Sequence, residues 1–181
     1  MKLIRRMLSA SAAMLLLLGT ASCGSSAKGA FDPSALPVIT LASDDLHNGV
    51  WSSVISNTDK GENRSPQLQW DPVDGASCYA VYMVDTSVTY WLHWKSDNVR
   101  ETTLPAGWAP RTEYIGPYPP EGTHDYEIRV FALKEPVTET QTRFDNSNDG
   151  FDRMVSALDK TDSGKGNVLA YGTLTGSFTR T

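Results

Sequence analysis

The most informative part of the sequence is Tyr114-Ile115-Gly116-Pro117-Tyr118-Pro119-Pro120-Glu121-Gly122-Thr123-His124-Asp125-Tyr126. Its three prolines fix φ and remove backbone donors, which predicts an extended, rigid loop. Gly116 and Gly122 are expected to supply turns at the two ends of this loop. The loop ends where a strand begins, and it places His124 at that point.

The strand that follows the loop is predicted over residues 126–133, with alternating apolar and charged side chains. His124 and Tyr126 share the parity of Ile128 and Val130, so both belong to the face that points to the core. A histidine and a tyrosine at the end of a buried face indicate a pocket lined with polar groups. The alternative is a turn with a structural histidine that makes its hydrogen bonds within the protein.

A second polar group follows a second strand. Residues 76–84 are apolar at both parities, as expected for a central strand buried on both faces. Asp85 continues one of these faces, where a carboxylate is costly unless it is paired or lies at a solvated pocket. Eight residues later, His93 lies among large apolar neighbours. Together with His124 and Tyr126, these residues are predicted to lie at or near the ends of strands.

The rest of the chain predicts a mostly β fold with antiparallel strands. Further strands are expected at 37–42, 50–56 and 168–178, with Gly172 and Gly176 as bulges or close backbone approaches. One amphipathic helix is predicted from apolar residues at i, i+3, i+4 and i+7, which are Phe151, Met154, Val155 and Leu158.

Five segments, in this order and spacing, resemble the phosphatidylethanolamine-binding (Raf kinase inhibitor-like) family: Ser65-Pro66-Gln67-Leu68-Gln69-Trp70, Asp85, His93-Trp94, residues 116–124, and Leu174-Thr175-Gly176-Ser177-Phe178-Thr179-Arg180. The resemblance implies one domain over residues 37–181. It implies two stacked antiparallel sheets, Greek-key and sandwich-like, with one or two peripheral helices. It also implies a small cavity at one end that accepts phosphate-type head groups or other anions.

The resemblance assigns ligand binding to Asp85, His93, Gly116, Pro117, His124 and Tyr126. Two departures from the family pattern change the expected ligand. The segment after Asp85 lacks the family's second aspartate and its proline, and Asp125 replaces an arginine. Losing a positive charge and gaining a negative one disfavours a multiply charged phosphate. We therefore expect a small phosphate- or carboxylate-type anion, with a phospholipid head group as one form of it.

The function predicted from these residues is binding rather than catalysis, with no cofactor. Histidine N–H groups and the Tyr126 hydroxyl can donate to anionic oxygens, and Asp85 can orient one imidazole. One alternative is an inhibitor or interaction protein that acts on a protease or a kinase-like partner. Another is a hydrolase or lyase that uses His124 and Asp85 as acid and base. Two histidines and an aspartate could also hold zinc, but no His-x-x-x-His or Cys-x-x-Cys spacing supports a metal.

An acidic segment, residues 145–150, imitates the start of a calcium-binding loop. Its twelfth position is Ser156 rather than glutamate, which argues against calcium. Capping of the following helix by Asn148 or Asp149 is the better explanation.

The N-terminus is typical of an exported lipoprotein. A short basic region precedes the apolar residues 8–18, and small residues lead to Cys23. The apolar run is too short to span a bilayer. We expect residues 1–22 to be a signal peptide, Cys23 to be lipidated, for instance with palmitate, and residues 23–36 to be a flexible tether. The alternative is an ordinary secretory signal with a chance cysteine.

Charge restricts the partners of the exported chain. Removing residues 1–22 leaves 159 of 181 residues, and because it removes three basic residues and no acidic ones, the net charge goes from −5 to −8. Such a chain is not suited to nucleic acid or to an anionic membrane through a basic patch. Membrane contact is expected through lipid on Cys23, with the domain facing the periplasm or the cell exterior. Cys78 lies in an apolar run and is expected to be a buried, unreactive thiol.

Overall fold

The computed structural model describes residues 33–138, 140–162 and 164–180. The predicted signal peptide, Cys23 and most of the predicted tether lie outside these residues. Within the described residues, no helix has the length and apolar character needed to cross a membrane.

Strands dominate the described residues. They are β1 (Leu41–Ala42), β2 (Leu46–His47), β3 (Val50–Trp51), β4 (Leu68–Trp70), β5 (Cys78–Asp85), β6 (Trp91–Val99), β7 (Thr103–Leu104), β8 (Thr123–Leu133), β9 (Lys160–Thr161), β10 (Gly164–Lys165) and β11 (Val168–Thr179). A six-stranded sheet has the order β2-β3-β11-β8-β5-β6, and β1-β4-β7 and β10-β9 form smaller sheets. The prediction of a mostly β fold is confirmed. The pairing of β3 with β11 is parallel, whereas the other named pairings are antiparallel.

The central strand β5 is buried along its whole length, as its apolar composition predicts. One face, with Tyr79, Val81 and Met83, packs in a core that also contains residues of β1, β4 and β7. The other face, with Ala80 and Tyr82, packs against the segment 151–158. Each face therefore contacts its own layer, and the polar end of the strand lies at the edge of the first core.

The helix α1 (Phe151–Val155) continues into a 3₁₀ turn over Ser156–Asp159. Phe151, Val155 and Leu158 are buried, as their spacing predicts. The predicted side-chain cap is wrong, since Gly150 precedes the helix with φ of 72° and no side chain caps it. Asn148 is used elsewhere: its side chain binds the backbone N–H and carbonyl of Arg143 and closes the loop before the helix.

Two predicted strands are much shorter than expected. Residues 37–42 contribute β1 alone, and residues 50–56 contribute β3 and then a 3₁₀ turn over Ser53–Ile55. The backbone of 52–56 bonds to neighbouring loops instead of to a strand, for example from Glu62 N to Val54 O at 2.9 Å. The expected close approaches on β11 are confirmed. A Cβ atom on Gly172 would lie 2.3 Å from the Ile39 carbonyl oxygen.

Candidate functional site

A cavity of about 370 Å³ lies where the end of β5, the first half of β6 and the start of β8 meet. Its walls combine four acidic or imidazole side chains with apolar and aromatic ones. The lining residues are Asn57, Asp85, Val88, Trp91, His93, Ile115, Gly116, Tyr118, Pro120, His124 and Asp145. Four of the six ligand-binding residues predicted from the sequence are therefore in the cavity wall, namely Asp85, His93, Gly116 and His124.

Asp85 and His124 form a hydrogen-bonded pair in this wall. The His124 Nδ1 atom donates to Asp85 Oδ2 at 2.6 Å, and the backbone N–H of Ser87 donates to Asp85 Oδ1 at 2.9 Å. The register of β5 and β8 places Asp85 opposite Tyr126, which brings His124 within reach on the same face. Since a carboxylate only accepts hydrogen bonds, Nδ1 carries the proton and the Nε2 atom of His124 is left for a ligand.

His93 reaches the cavity because of a β-bulge. Met83 pairs with Trp94 and Val84 pairs with Leu92, so His93 is the extra residue of β6 at this point. Bulges re-aim side chains in this way. The His93 Nδ1 atom donates to the Ile115 carbonyl at 2.9 Å. Burial lowers the pKa of His93, which favours the neutral ring, and its Nε2 atom has no hydrogen bond to the described residues.

The proline-rich loop forms one wall through close backbone packing. The backbone N–H of Gly116 donates to Asn63 Oδ1 at 2.7 Å, and a Cβ atom on Gly116 would lie 2.1 Å from the Ile55 carbonyl oxygen. Gly116 is thus needed for close approach rather than for the predicted turn. Gly122 does make a turn, with φ of 67°. Pro117 is buried outside the cavity lining, and its carbonyl accepts from the Asn57 N–H.

Tyr126 lies beneath the cavity instead of lining it. Its ring is fully buried, packs edge-on against His93 with centroids 5.2 Å apart and stacks on His124 at 6.4 Å. Its hydroxyl has no hydrogen-bond partner among the described residues. Burial, together with the negative charge of Asp85, raises the pKa of Tyr126. Tyr126 therefore supports both imidazoles, and the predicted direct donation to a ligand does not follow from its position.

The sequence interpretation missed Asp145, whose side chain lines the cavity. The Trp91 indole N–H donates to Asp145 Oδ1 at 3.1 Å. Asp145 has a φ of 50°, in the left-handed region that aspartate and asparagine tolerate best after glycine. The run of aspartate and asparagine residues at 145–149 was the only sequence signal, and it was interpreted as a helix cap.

Among the described residues, the cavity is lined by two carboxylates and two imidazoles and by no lysine or arginine. Asp125, the replacement expected to change the pocket, is exposed and outside the lining, because its position in β8 has the opposite parity to His124. The second carboxylate of the cavity lining is Asp145. Within residues 33–138, 140–162 and 164–180, no group of three or more histidine, cysteine, aspartate or glutamate side chains is arranged to hold a metal ion.

Comparisons with known proteins point to one family. A family model described as phosphatidylethanolamine-binding protein matches residues 43–179. A protein of Methanothermobacter thermautotrophicus, named UPF0098 protein, is 34% identical, and the match covers 40% of this chain and 62% of that relative. The chain thus spans less than two thirds of the length of this curated relative.

Two solved structures share the fold. One is Escherichia coli YbcL, described as a new member of the mammalian PEBP family, with 22% identity, a TM-score of 0.57 and coverage of 79% of this chain and 99% of that chain. The other is CT736 from Chlamydia trachomatis, described as a putative phosphatidylethanolamine-binding protein homologue, with 18% identity and a TM-score of 0.58. It covers 80% of this chain and 99% of its own.

Proposed function

The chain belongs to the phosphatidylethanolamine-binding protein family, and we propose that it is an exported lipoprotein that binds a small anionic ligand at His124. Membership of this family supports a ligand-binding or interaction protein. The observation that carries the finer proposal is the Asp85–His124 pair. It fixes one imidazole nitrogen by a 2.6 Å hydrogen bond and leaves the other for a ligand in a cavity of about 370 Å³.

The anion is bound by a protonated His124. When Nε2 takes up a proton, the imidazolium donates to the anion from one side and to Asp85 from the other, and both bonds are charge-assisted. The buried Asp85 carboxylate compensates for the positive charge that binding creates beside it. Anion binding therefore takes up a proton, and the affinity is expected to increase as the pH falls.

The composition of the lining favours an anion with a single negative charge. No lysine or arginine from the described part of the chain lines the cavity, and Asp85 and Asp145 add negative charge to it. With His124 protonated, the lining carries one positive and two negative charges, so each additional negative charge on the ligand adds repulsion. Carboxylates, singly ionised phosphate monoesters and phosphodiesters fit this description.

Export and lipidation rest on the N-terminal sequence, which lies outside the described residues. The basic region, the apolar segment and Cys23 support a mature chain that begins at an acylated cysteine. Metabolic labelling with a palmitate analogue tests this proposal. Label should be found on the wild-type chain and be absent from Cys23→Ala, and label retained by Cys23→Ala would contradict it.

A protein partner is the second candidate, favoured by an apolar collar around the cavity mouth. The collar consists of Val88, Trp91 and Tyr118, which are 42%, 38% and 46% exposed. The guanidinium carbon of Arg180 lies 4.1 Å from the centroid of the Tyr118 ring. Aromatic residues and arginine are enriched among energetically important interface residues. A stoichiometric complex that persists in His124→Ala and is lost in Trp91→Ala would favour this function.

Titration calorimetry of the full chain with phosphate and with acetate tests the anion proposal. We expect binding at pH 6 that is weakened about tenfold or more in His124→Gln, since a hydrogen bond between charged groups is lost. His47→Gln is the matched control, because His47 is exposed and lies outside the cavity lining. Equal affinities in the wild type and in His124→Gln would contradict the proposal.

A further inference from the structure

A second depression, of about 380 Å³, lies on the outer face of the three-stranded sheet β1-β4-β7. The inner face of this sheet packs in the core through Leu41, Leu68 and Leu104. The depression shares no lining residue with the cavity at His124. Its volume lies within the ~300–1,000 Å³ that is typical of small-molecule sites. The lining residues are Thr40, Ala42, Gln69, Trp70, Asp71 and Thr103.

Strand parity explains why this lining is mostly polar. Ala42 pairs with Gln69, and Gln69 pairs with Thr103, so the three side chains form one row across the outer face. The pairing of β1 with β4 ends at the next position. Thr40 and Asp71 lie just beyond that end and share the parity of the row, so they extend it. The depression therefore lies where the two strands stop pairing.

The polar groups of this row are available to a ligand. The hydroxyls of Thr40 and Thr103 and the carboxylate of Asp71 make no hydrogen bond to the described residues. Gln69 uses only its oxygen, which accepts from the Gln67 amide nitrogen at 3.4 Å. Hydroxyl and amide groups can both donate and accept, whereas a carboxylate only accepts. The row therefore offers donors and acceptors side by side.

The indole of Trp70 distinguishes the depression from an ordinary polar surface. Trp70 is only 6% exposed, and its Nε1–H is buried without a hydrogen-bond partner among the described residues. The ring packs edge-on against Tyr79, with centroids 5.2 Å apart, and the Tyr79 hydroxyl is used to accept from the Val73 N–H. Buried donors without a partner are rare in folded proteins. A ligand oxygen in the depression could accept from this N–H.

A neutral ligand with several hydroxyls matches this lining. Its hydroxyls both donate and accept, as the groups of the row do, and its oxygens can accept from the Trp70 indole. An anion is disfavoured, because Asp71 is the one charged side chain that the described residues contribute to the lining, and it is negative. A metal ion is disfavoured as well, since no second carboxylate or imidazole from these residues lines the depression.

We propose that the outer face of β1-β4-β7 is a second ligand site, which binds a neutral saccharide through Gln69, Asp71 and Trp70. The Gln69 amide nitrogen donates to the ligand, the Asp71 carboxylate accepts from its hydroxyls, and the Trp70 indole donates to one of its oxygens. This site is independent of the anion site at His124, and neither site requires the other.

NMR of the tryptophan indole N–H groups tests this site on the full chain, because each of the five tryptophans gives one signal. The Trp70 signal reports on the depression, whereas the Trp91 signal reports on the cavity at His124. The probes are maltose, cellobiose and N,N′-diacetylchitobiose, with ethylammonium and acetate as charged comparators. Each is added to ~50 mM, above the dissociation constant of ~1 mM expected for a small neutral ligand.

We expect at least one disaccharide to move the Trp70 signal downfield, since its N–H gains an acceptor, and to leave the Trp91 signal in place. Ethylammonium and acetate should leave the Trp70 signal unchanged. Acetate should move the Trp91 signal if the anion site at His124 exists, so the two sites can fail separately.

Exposed residues of the row allow variants that leave the core untouched. Gln69→Ala and Asp71→Ala should each weaken binding of the disaccharide about fivefold, the effect of losing a hydrogen bond. The matched controls are Gln141→Ala and Asp74→Ala, because both residues are exposed and lie outside the lining of the depression. The controls should bind as the wild type does.

Three results would overturn the saccharide site. The first is a Trp70 signal that none of the three disaccharides moves. The second is a disaccharide that moves the Trp91 signal instead, which would place its binding in the cavity at His124. The third is a Trp70 shift that ethylammonium produces equally well, or that Gln69→Ala and Asp71→Ala both leave at wild-type affinity.

Discussion

Asp45 and Asp85 are two buried aspartates, each paired with a basic side chain, yet their surroundings differ. Asp45 accepts from Arg64 Nη2 at 3.0 Å and from the backbone N–H of Gln67 at 2.7 Å, and it lies outside the described cavity walls. Asp85 accepts from Ser87 N–H and from His124, and both Asp85 and His124 line the cavity.

The two pairs differ in the hydrogen-bonding capacity that remains on the basic side chain once it has bound its aspartate. Arginine only donates and cannot lose its proton in proteins, so its pairing with Asp45 is a permanent structural contact. Histidine uses one nitrogen for Asp85 and presents a second that changes between acceptor and donor with the proton. A buried carboxylate therefore has a structural role beside Arg64, whereas beside His124 it prepares a site for a ligand.

The largest expected effect is on stability, at the Asp45 pair. Arg64→Met should lower the free energy of unfolding by about 2 kcal/mol, below the ~3–5 kcal/mol for breaking a fully buried pair because Arg64 is partly exposed. Urea denaturation measures this change. The affinity for phosphate should be unchanged, and a large loss of affinity with unchanged stability would reverse the roles assigned to the two aspartates.

A smaller effect, on the affinity for phosphate, is expected at the Asp85–His124 pair. Asp85→Asn removes the charge that stabilises the His124 imidazolium, while an asparagine oxygen can still accept the Ser87 N–H. Phosphate affinity at pH 6 should fall about tenfold, with less than about 1 kcal/mol lost in stability. Calorimetry in two buffers of different ionisation enthalpy should also show less proton uptake. Unchanged affinity and unchanged proton uptake would show that Asp85 has no role in anion binding.

The smallest expected effect is on the pH dependence of stability. It concerns His93, which belongs to neither the Asp45–Arg64 pair nor the Asp85–His124 pair. Because burial lowers the pKa of His93 in the folded state, the unfolded chain binds more protons below the ordinary histidine pKa of ~6.5. The contribution of neutral His93 to stability is therefore present above that pH and is lost as the pH falls towards the lowered pKa.

Urea denaturation between pH 7.5 and 5 measures this loss. Because His93→Gln has no imidazole to protonate at this position, its stability should decrease less over the same range. If the two proteins follow the same pH dependence, protonation of His93 does not oppose folding.

The sequence predicted the parts of the site that depend on regular strands. Asp85, His124 and Tyr126 share one face because β5 and β8 pair without a shift, so strand parity was enough to bring them together. Parity could not separate His124, which lines the cavity, from Tyr126, which lies beneath it. That distinction depends on how far each residue lies from the end of the sheet.

Two other features depend on contacts that strand parity does not describe. His93 reaches the cavity through a bulge, which breaks the alternation from which a strand is interpreted. Asp145 comes from a loop whose path is determined by backbone bonds to Leu92, a residue more than fifty positions earlier. The local sequence placed His93 near the end of a strand and the family resemblance assigned it to the site, whereas neither of them indicated Asp145.

Nitrogen-15 NMR of the imidazole rings tests the central claim most directly, because the chain has only three histidines and one of them is a reference. His47 is exposed and outside the cavity lining, whereas His93 and His124 line it. On titration with acetate at pH 7.5, the His124 Nε2 resonance should move to that of a protonated, hydrogen-bonded nitrogen. The His93 resonances should shift as well, while those of His47 stay in place. Saturating ligand that leaves the His124 resonances unchanged, or that moves all three histidines alike, would contradict a binding site at the Asp85–His124 pair.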